Sequence, residues 1–139
     1  MEKEKLSLIP KSEKYIQYII ELIIKLPRTE KFSIGNEYKN SLYIMLENIM
    51  YLNKNIKVNY KIEENNNNNL IKNIVQQERF ETMKILNKID CILNCQRIYL
   101  RIMYKNKWID EHKFNVSMEQ IYEIGKILGG LIKHYAKNN

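Results

Sequence analysis

The sequence predicts an all-α protein, an antiparallel up-down-up-down four-helix bundle that is oligomeric. Three observations carry this: apolar residues recur every three or four positions, strict apolar/polar alternation is absent, and the four glycines fall in only two places. A chain of 139 residues with 45% apolar content suits one domain over 1–139 whose core needs neither a disulfide nor a metal.

The first helix is expected from about Ser12, a plausible N-cap, to Leu26, where Pro27 stops it. The second follows Thr29 as cap and runs to about Asn53. Its buried face would hold Phe32, Gly35, Tyr38, Leu42, Met45, Leu46, Ile49 and Leu52, with Gly35 allowing close approach of a neighbouring helix. Residues 54–69 read as a loop that ends in five asparagines, because asparagine favours turns and a polar tract has nothing to bury. We read it as a tolerated low-complexity expansion rather than a recognition loop. The third helix is expected from about Leu70 to Tyr104, ending before Asn106. A connection through Trp108 and His112 then leads to Ser117, which with Gln120 forms a capping-box pattern. The fourth helix runs to about Lys137, with Ile121, Ile124, Gly125, Leu128, Leu131, Ile132 and Tyr135 facing the core. Short or polar connections make the up-down path the default.

The third helix carries three stripes. Ile85, Leu86, Ile89, Ile92, Leu93, Leu100 and Met103 form the arc that faces the bundle's own core. On the opposite side Cys91, Cys95, Ile98 and Ile102 recur at steps of four, three and four, an uncharged stripe that an isolated bundle leaves in water. The first helix adds Tyr15, Tyr18, Ile19, Leu22 and Leu26, more apolar surface than one core needs. A second copy of the chain is the simplest partner, which makes this stripe a candidate oligomer interface. Between the two apolar stripes lie Asp90, Asn94, Arg97 and Arg101. Asp90 and Arg97 read as a structural ion pair that fixes register in that interface.

Twenty-three Lys and Arg against 16 acids give a net charge of +7, which favours an anionic partner such as nucleic acid. Arg101 and Lys105 can extend toward it, and Lys126, Lys133 and Lys137 form a basic stripe on the fourth helix that suits phosphate contacts. Gly125 and Gly129 read as allowing tight helix packing. Signals for catalysis are weak: His112 and His134 are isolated, no phosphate loop or nucleophile elbow occurs, and Cys91 and Cys95 have no histidines near them in sequence. We expect no enzyme, no metal and no cofactor. Two cysteines one helical turn apart fit a reducing cytoplasm, and the apolar run from Ile16 to Leu26 is cut by Gln17, Glu21 and Lys25, so neither secretion nor a membrane span is expected.

Lys-Leu-Pro-Arg at 25–28, Asp-Cys-Ile-Leu-Asn-Cys-Gln-Arg-Ile-Tyr-Leu-Arg at 90–101 and Gly-Lys-Ile-Leu-Gly-Gly at 125–130 occur in an order that resembles the Avd family, the accessory variability determinants of diversity-generating retroelements. Asp90, Leu93, Arg97, Arg101, Gly125, Leu128 and Gly129 fit its pattern, whereas the Asn-rich segment is no part of it. The resemblance implies a four-helix bundle in a barrel-like homopentamer with a basic surface. It also implies a noncatalytic subunit that binds reverse transcriptase and retroelement RNA in support of mutagenic cDNA synthesis. A related group, the four-helix-bundle proteins of ribosomal RNA intervening sequences, shares the Pro-containing first connection and the glycines of the fourth helix. It supplies the alternative of an oligomeric assembly protein without a nucleic-acid role.

Overall fold

Almost every expected turn of helix is present, and the differences lie at the ends. The computed structural model describes the backbone of residues 2–64 and 69–136, and the side chains of 7–56, 70 and 72–136. The elements are α1 (Glu2–Ile24), a single turn α2 (Arg28–Lys31), α3 (Ile34–Glu64), α4 (Asn69–Lys105) and α5 (Glu111–Ala136). The four long helices pack in a ring, α1 on α3, α3 on α4, α4 on α5 and α5 back on α1, while α2 lies against α3. Among the described residues there is no strand.

Three expected caps are corrected. Ser12 is fully buried within α1, which begins at Glu2 and runs through Pro10, and its hydroxyl makes no hydrogen bond. Pro27 does end the first helical run, but Thr29 lies inside α2. Ser33 opens α3, its carbonyl accepting from the Glu37 N–H at 3.2 Å. At the start of α5 the cap is Asp110, whose Oδ1 accepts from the Lys113 N–H at 2.8 Å. Ser117 lies well inside that helix, buried, and donates to the Lys113 carbonyl at 2.7 Å. Sequence reading missed these starts because Ser12 and Ser117 carry cap chemistry that i−4 bonding or burial can equally absorb.

The expected loop is also corrected. Residues 54–64 continue α3 and Asn69 already belongs to α4; Asn65 to Asn68 lie outside the described residues. Ile56 is 1% exposed and continues the core register of Ile49 and Leu52, so helix is extended by packing past the point where polarity argued for a loop.

The core is drawn from all four long helices. Tyr15, Ile19 and Leu22 of α1, and Leu26 just beyond its end, are buried within the chain itself, so their number calls for no partner; Tyr18 is half-buried. Phe32, expected in the core, is exposed beside α2. Gly35 meets its expectation: an added Cβ would stand 3.0 Å from Ile23 Cγ2 and 3.3 Å from the Glu30 carbonyl oxygen. The end of α4 is set by Lys107 at φ 63°, which lets its N–H reach the Tyr104 carbonyl and the Trp108 N–H reach the Met103 carbonyl. That is a Schellman closure with lysine where glycine is usual.

Candidate interaction surface

The rotation of α4 about its axis decides which residues reach solvent, and a buried polar ring sets it. Gln96, fully buried, accepts a hydrogen bond from the Tyr15 hydroxyl at 2.7 Å and donates through Nε2 to Ser41 Oγ at 3.1 Å. The Tyr15 and Tyr38 oxygens lie 2.7 Å apart, and Ser41 donates to the Tyr38 carbonyl at 2.6 Å. Because Tyr15 spends its one hydrogen on Gln96, Tyr38 must be the donor to Tyr15. Burial raises both phenols above their ordinary value; for Tyr38 its neighbour Tyr15 adds to the rise, while for Tyr15 the bond from Tyr38 and the Arg97 charge oppose it. Three helices are thus fastened to one amide.

With Gln96 held inward, about 100° per residue places Cys91, Cys95, Ile98 and Ile102 within an arc of about 60° on the far side of α4. All four are exposed, Ile98 at 50% and Ile102 at 39%, and both cysteines are free thiols. The uncharged outer stripe expected from sequence is therefore present on the surface of the chain. Tyr99 lines its α3 side, its ring 5.4 Å from that of Tyr38. Hydrogen bonding with Cys95 in the first place, then burial and the charges of Cys95 and Glu37, push its phenol up to about 12.

The polar stripe is rearranged relative to expectation. Asp90 and Arg97 are both half-buried, yet Arg97 donates to Asn94 rather than pairing with Asp90. Two helical turns, about 10 Å of rise, separate Arg97 from Asp90, whereas Asn94 is one turn away. Arg97 also explains Gly125: an added Cβ there would lie 2.9 Å from Arg97 Nη2, so the missing side chain makes room for the guanidinium. Gly129 is different. Nothing lies within 4 Å of its ideal Cβ, so the pair does not serve as a tight helix-packing motif.

The described basic candidates fall on two helices, as two groups within the chain. Arg101 and Lys105 are exposed at the end of α4 that leads into the α4–α5 connection. Lys126 and Lys133 are exposed on α5, about 22 and 33 Å along the axis from Glu111 at 1.5 Å per residue. Lys126 faces a groove against α1, lined also by Ser7, Lys11, Tyr122 and Glu123. There Lys11 Nζ donates to Glu123 at 2.8 Å and holds that carboxyl below its ordinary value, with Lys14 and Lys126 adding to the effect. Lys137 lies outside the described residues.

Sequence reading missed two features: the Gln96 ring, and the stack of Tyr104 on Phe114, with centroids 4.6 Å apart and planes at 21°. Ten tyrosines in a chain of net charge +7 were the available signal, since aromatic rings among cations suit base stacking. Among the described residues no three His, Cys, Asp or Glu side chains converge as a metal cluster, and no helix is long and apolar enough to cross a membrane. Comparison with protein-family models, curated proteins and solved structures finds no match.

Proposed function

We propose that this chain is a noncatalytic helical subunit that self-associates through the outer face of α4 and binds a reverse transcriptase with its template RNA, the role that the Avd resemblance implies. The observation that carries the reading is the exposed Cys91, Cys95, Ile98 and Ile102 stripe, continuous and uncharged, which ends against the cations Arg101 and Lys105. Water in contact with two heptads of apolar surface is unfavourable, and a second copy removes it at matching chemistry on both sides. The cyclic packing order, in which helices adjacent in sequence are neighbours, supports an antiparallel up-down-up-down path. Five copies in the ring is an inference from the resemblance alone. Phosphate contacts by Arg101, Lys105, Lys126 and Lys133, with Lys137 as a further candidate, would give RNA affinity that falls steeply with salt.

Light scattering on the purified chain tests self-association. Replacing Ile98 and Ile102 together by lysine should yield monomers, because unpartnered lysines in an apolar interface cost about 2–5 kcal/mol; a wild-type chain that is already monomeric refutes the reading. A reverse-transcriptase gene next to that of this chain, co-purification of the two products, and loss of cDNA synthesis without this chain test the rest. The second reading, an assembly protein without a nucleic-acid role, is favoured by the Lys11–Glu123 pair that occupies the Lys126 groove. It holds if the oligomer forms and RNA binding is absent at low salt.

A further inference from the structure

The end of the bundle formed by the α4–α5 connection combines cations with a stacked, partly exposed aromatic ring. Tyr104 rests one ring face on Phe114, which fixes its plane, and the residue remains 38% exposed. Arg101, one turn earlier on α4, neighbours it, and Lys105 lies one turn beyond Arg101 on that same side of the helix; both are exposed. Lys107 follows in a left-handed conformation that carries it past the helix end, also exposed. The nearest acid in the connection, Asp110, is engaged as the cap of α5. A pre-oriented phenol ring with cations beside it is suited to a nucleobase whose neighbouring phosphates are neutralised.

We propose that Tyr104, backed by Phe114, is a stacking platform for one base of a single-stranded nucleic acid, with Arg101, Lys105 and Lys107 holding the flanking phosphates. The assignment rests on the nucleic-acid reading above and narrows it. Single strands are specified because a base inside a duplex already has both faces covered, whereas an unpaired base offers one to a protein ring. It also separates this end of the molecule from Lys126 and Lys133, whose surroundings supply charge without an arranged stack.

The test measures fluorescence anisotropy of full-length protein with a short single-stranded RNA and with an abasic sugar–phosphate strand of equal length and charge. Wild type should bind the RNA roughly 5- to 150-fold more tightly than the abasic strand, the span expected for one stacked base. Tyr104→Leu should erase that difference, while Tyr104→Phe keeps it. Arg101→Gln or Lys105→Gln should weaken both strands alike and lower the salt slope by about 0.7 for each phosphate that is no longer neutralised. RNA binding that is unchanged in Tyr104→Leu, or equal affinity for the abasic strand, overturns the stacking assignment and leaves the nucleic-acid reading standing. Failure of wild type to bind either strand at low salt removes both.

Discussion

Replacing Tyr15 by phenylalanine should destabilise the protein more than replacing Tyr38, although the two phenols are equally buried and touch one another. The Tyr15 hydroxyl accepts from Tyr38 and donates to Gln96, so its removal strands a buried donor on Tyr38 and a buried acceptor on Gln96. At about 1–3 kcal/mol for each unsatisfied group, part of which relaxation recovers, Tyr15→Phe should cost about 2–4 kcal/mol. Tyr38→Phe leaves the Tyr15–Gln96 bond intact and takes away only one donor, which should cost about 1 kcal/mol. The double variant should fall short of the sum, because after Tyr15→Phe the Tyr38 hydroxyl is already a liability. Urea unfolding followed by circular dichroism reads these differences as shifts in midpoint at constant slope. Alkaline titration adds an independent check. Both phenols are raised in the folded state, so above the ordinary tyrosine value near pH 10 the unfolded chain loses protons that the folded chain retains. Stability is therefore complete below that pH and falls as it rises, by about 1.4 kcal/mol per pH unit for each buried phenol, with a shallower fall in either variant. If Tyr38→Phe proves as damaging as Tyr15→Phe, the donor order around the ring is wrong. If neither moves the midpoint, the ring is not buried.

Lys107→Gly should raise stability by about 0.5–1 kcal/mol, because φ 63° burdens a lysine side chain and not a glycine; a decrease in melting temperature contradicts the Schellman assignment. Gly129→Ala should stabilise by up to about 1 kcal/mol through helix propensity, since its Cβ meets nothing within 4 Å. A loss would show that something occupies that space. Gly35→Ala should do the reverse by about 1–2 kcal/mol, the propensity gain being outweighed by collision with Ile23 and the rigid Glu30 carbonyl, and thermal unfolding that shows no change would refute the packing. Gly125→Ala should displace Arg97, readable as loss of its hydrogen bond to Asn94 in the side-chain NMR spectrum of the amide; an unchanged spectrum places the guanidinium elsewhere.

Much of the fold was legible because helical burial is periodic. Leu42, Met45, Ile49, Leu86, Ile89, Leu93, Ile121, Ile124 and Leu128 all face the core as the 3.6-residue repeat requires. The outer stripe on α4 was legible for the same reason, its four residues being out of phase with the core arc. Helix starts were not. Ser12, Thr29 and Ser117 each satisfy a cap rule, yet Ser33 and Asp110 mark the starts of α3 and α5, since cap chemistry is common and only the local backbone path selects among the candidates. Tyr15 showed its apolar body in the sequence and hid its partner, because Gln96 stands 81 positions away.

The sequence by itself determined that the chain is helical, which residues of each long helix turn inward, and that α4 carries a second, uncharged face. Those properties depend on residue spacing along one helix and need no knowledge of its neighbours. Tertiary structure alone decided that the apolar excess of α1 is absorbed at home, that Arg97 lies over Gly125 and bonds Asn94, and that Arg101 and Lys105 stand far from Lys126 and Lys133. Each of these depends on how helices are rotated and how far they run past one another. That rotation is fixed by contacts such as the one between Tyr15 and Gln96, which form only when segments remote in sequence meet.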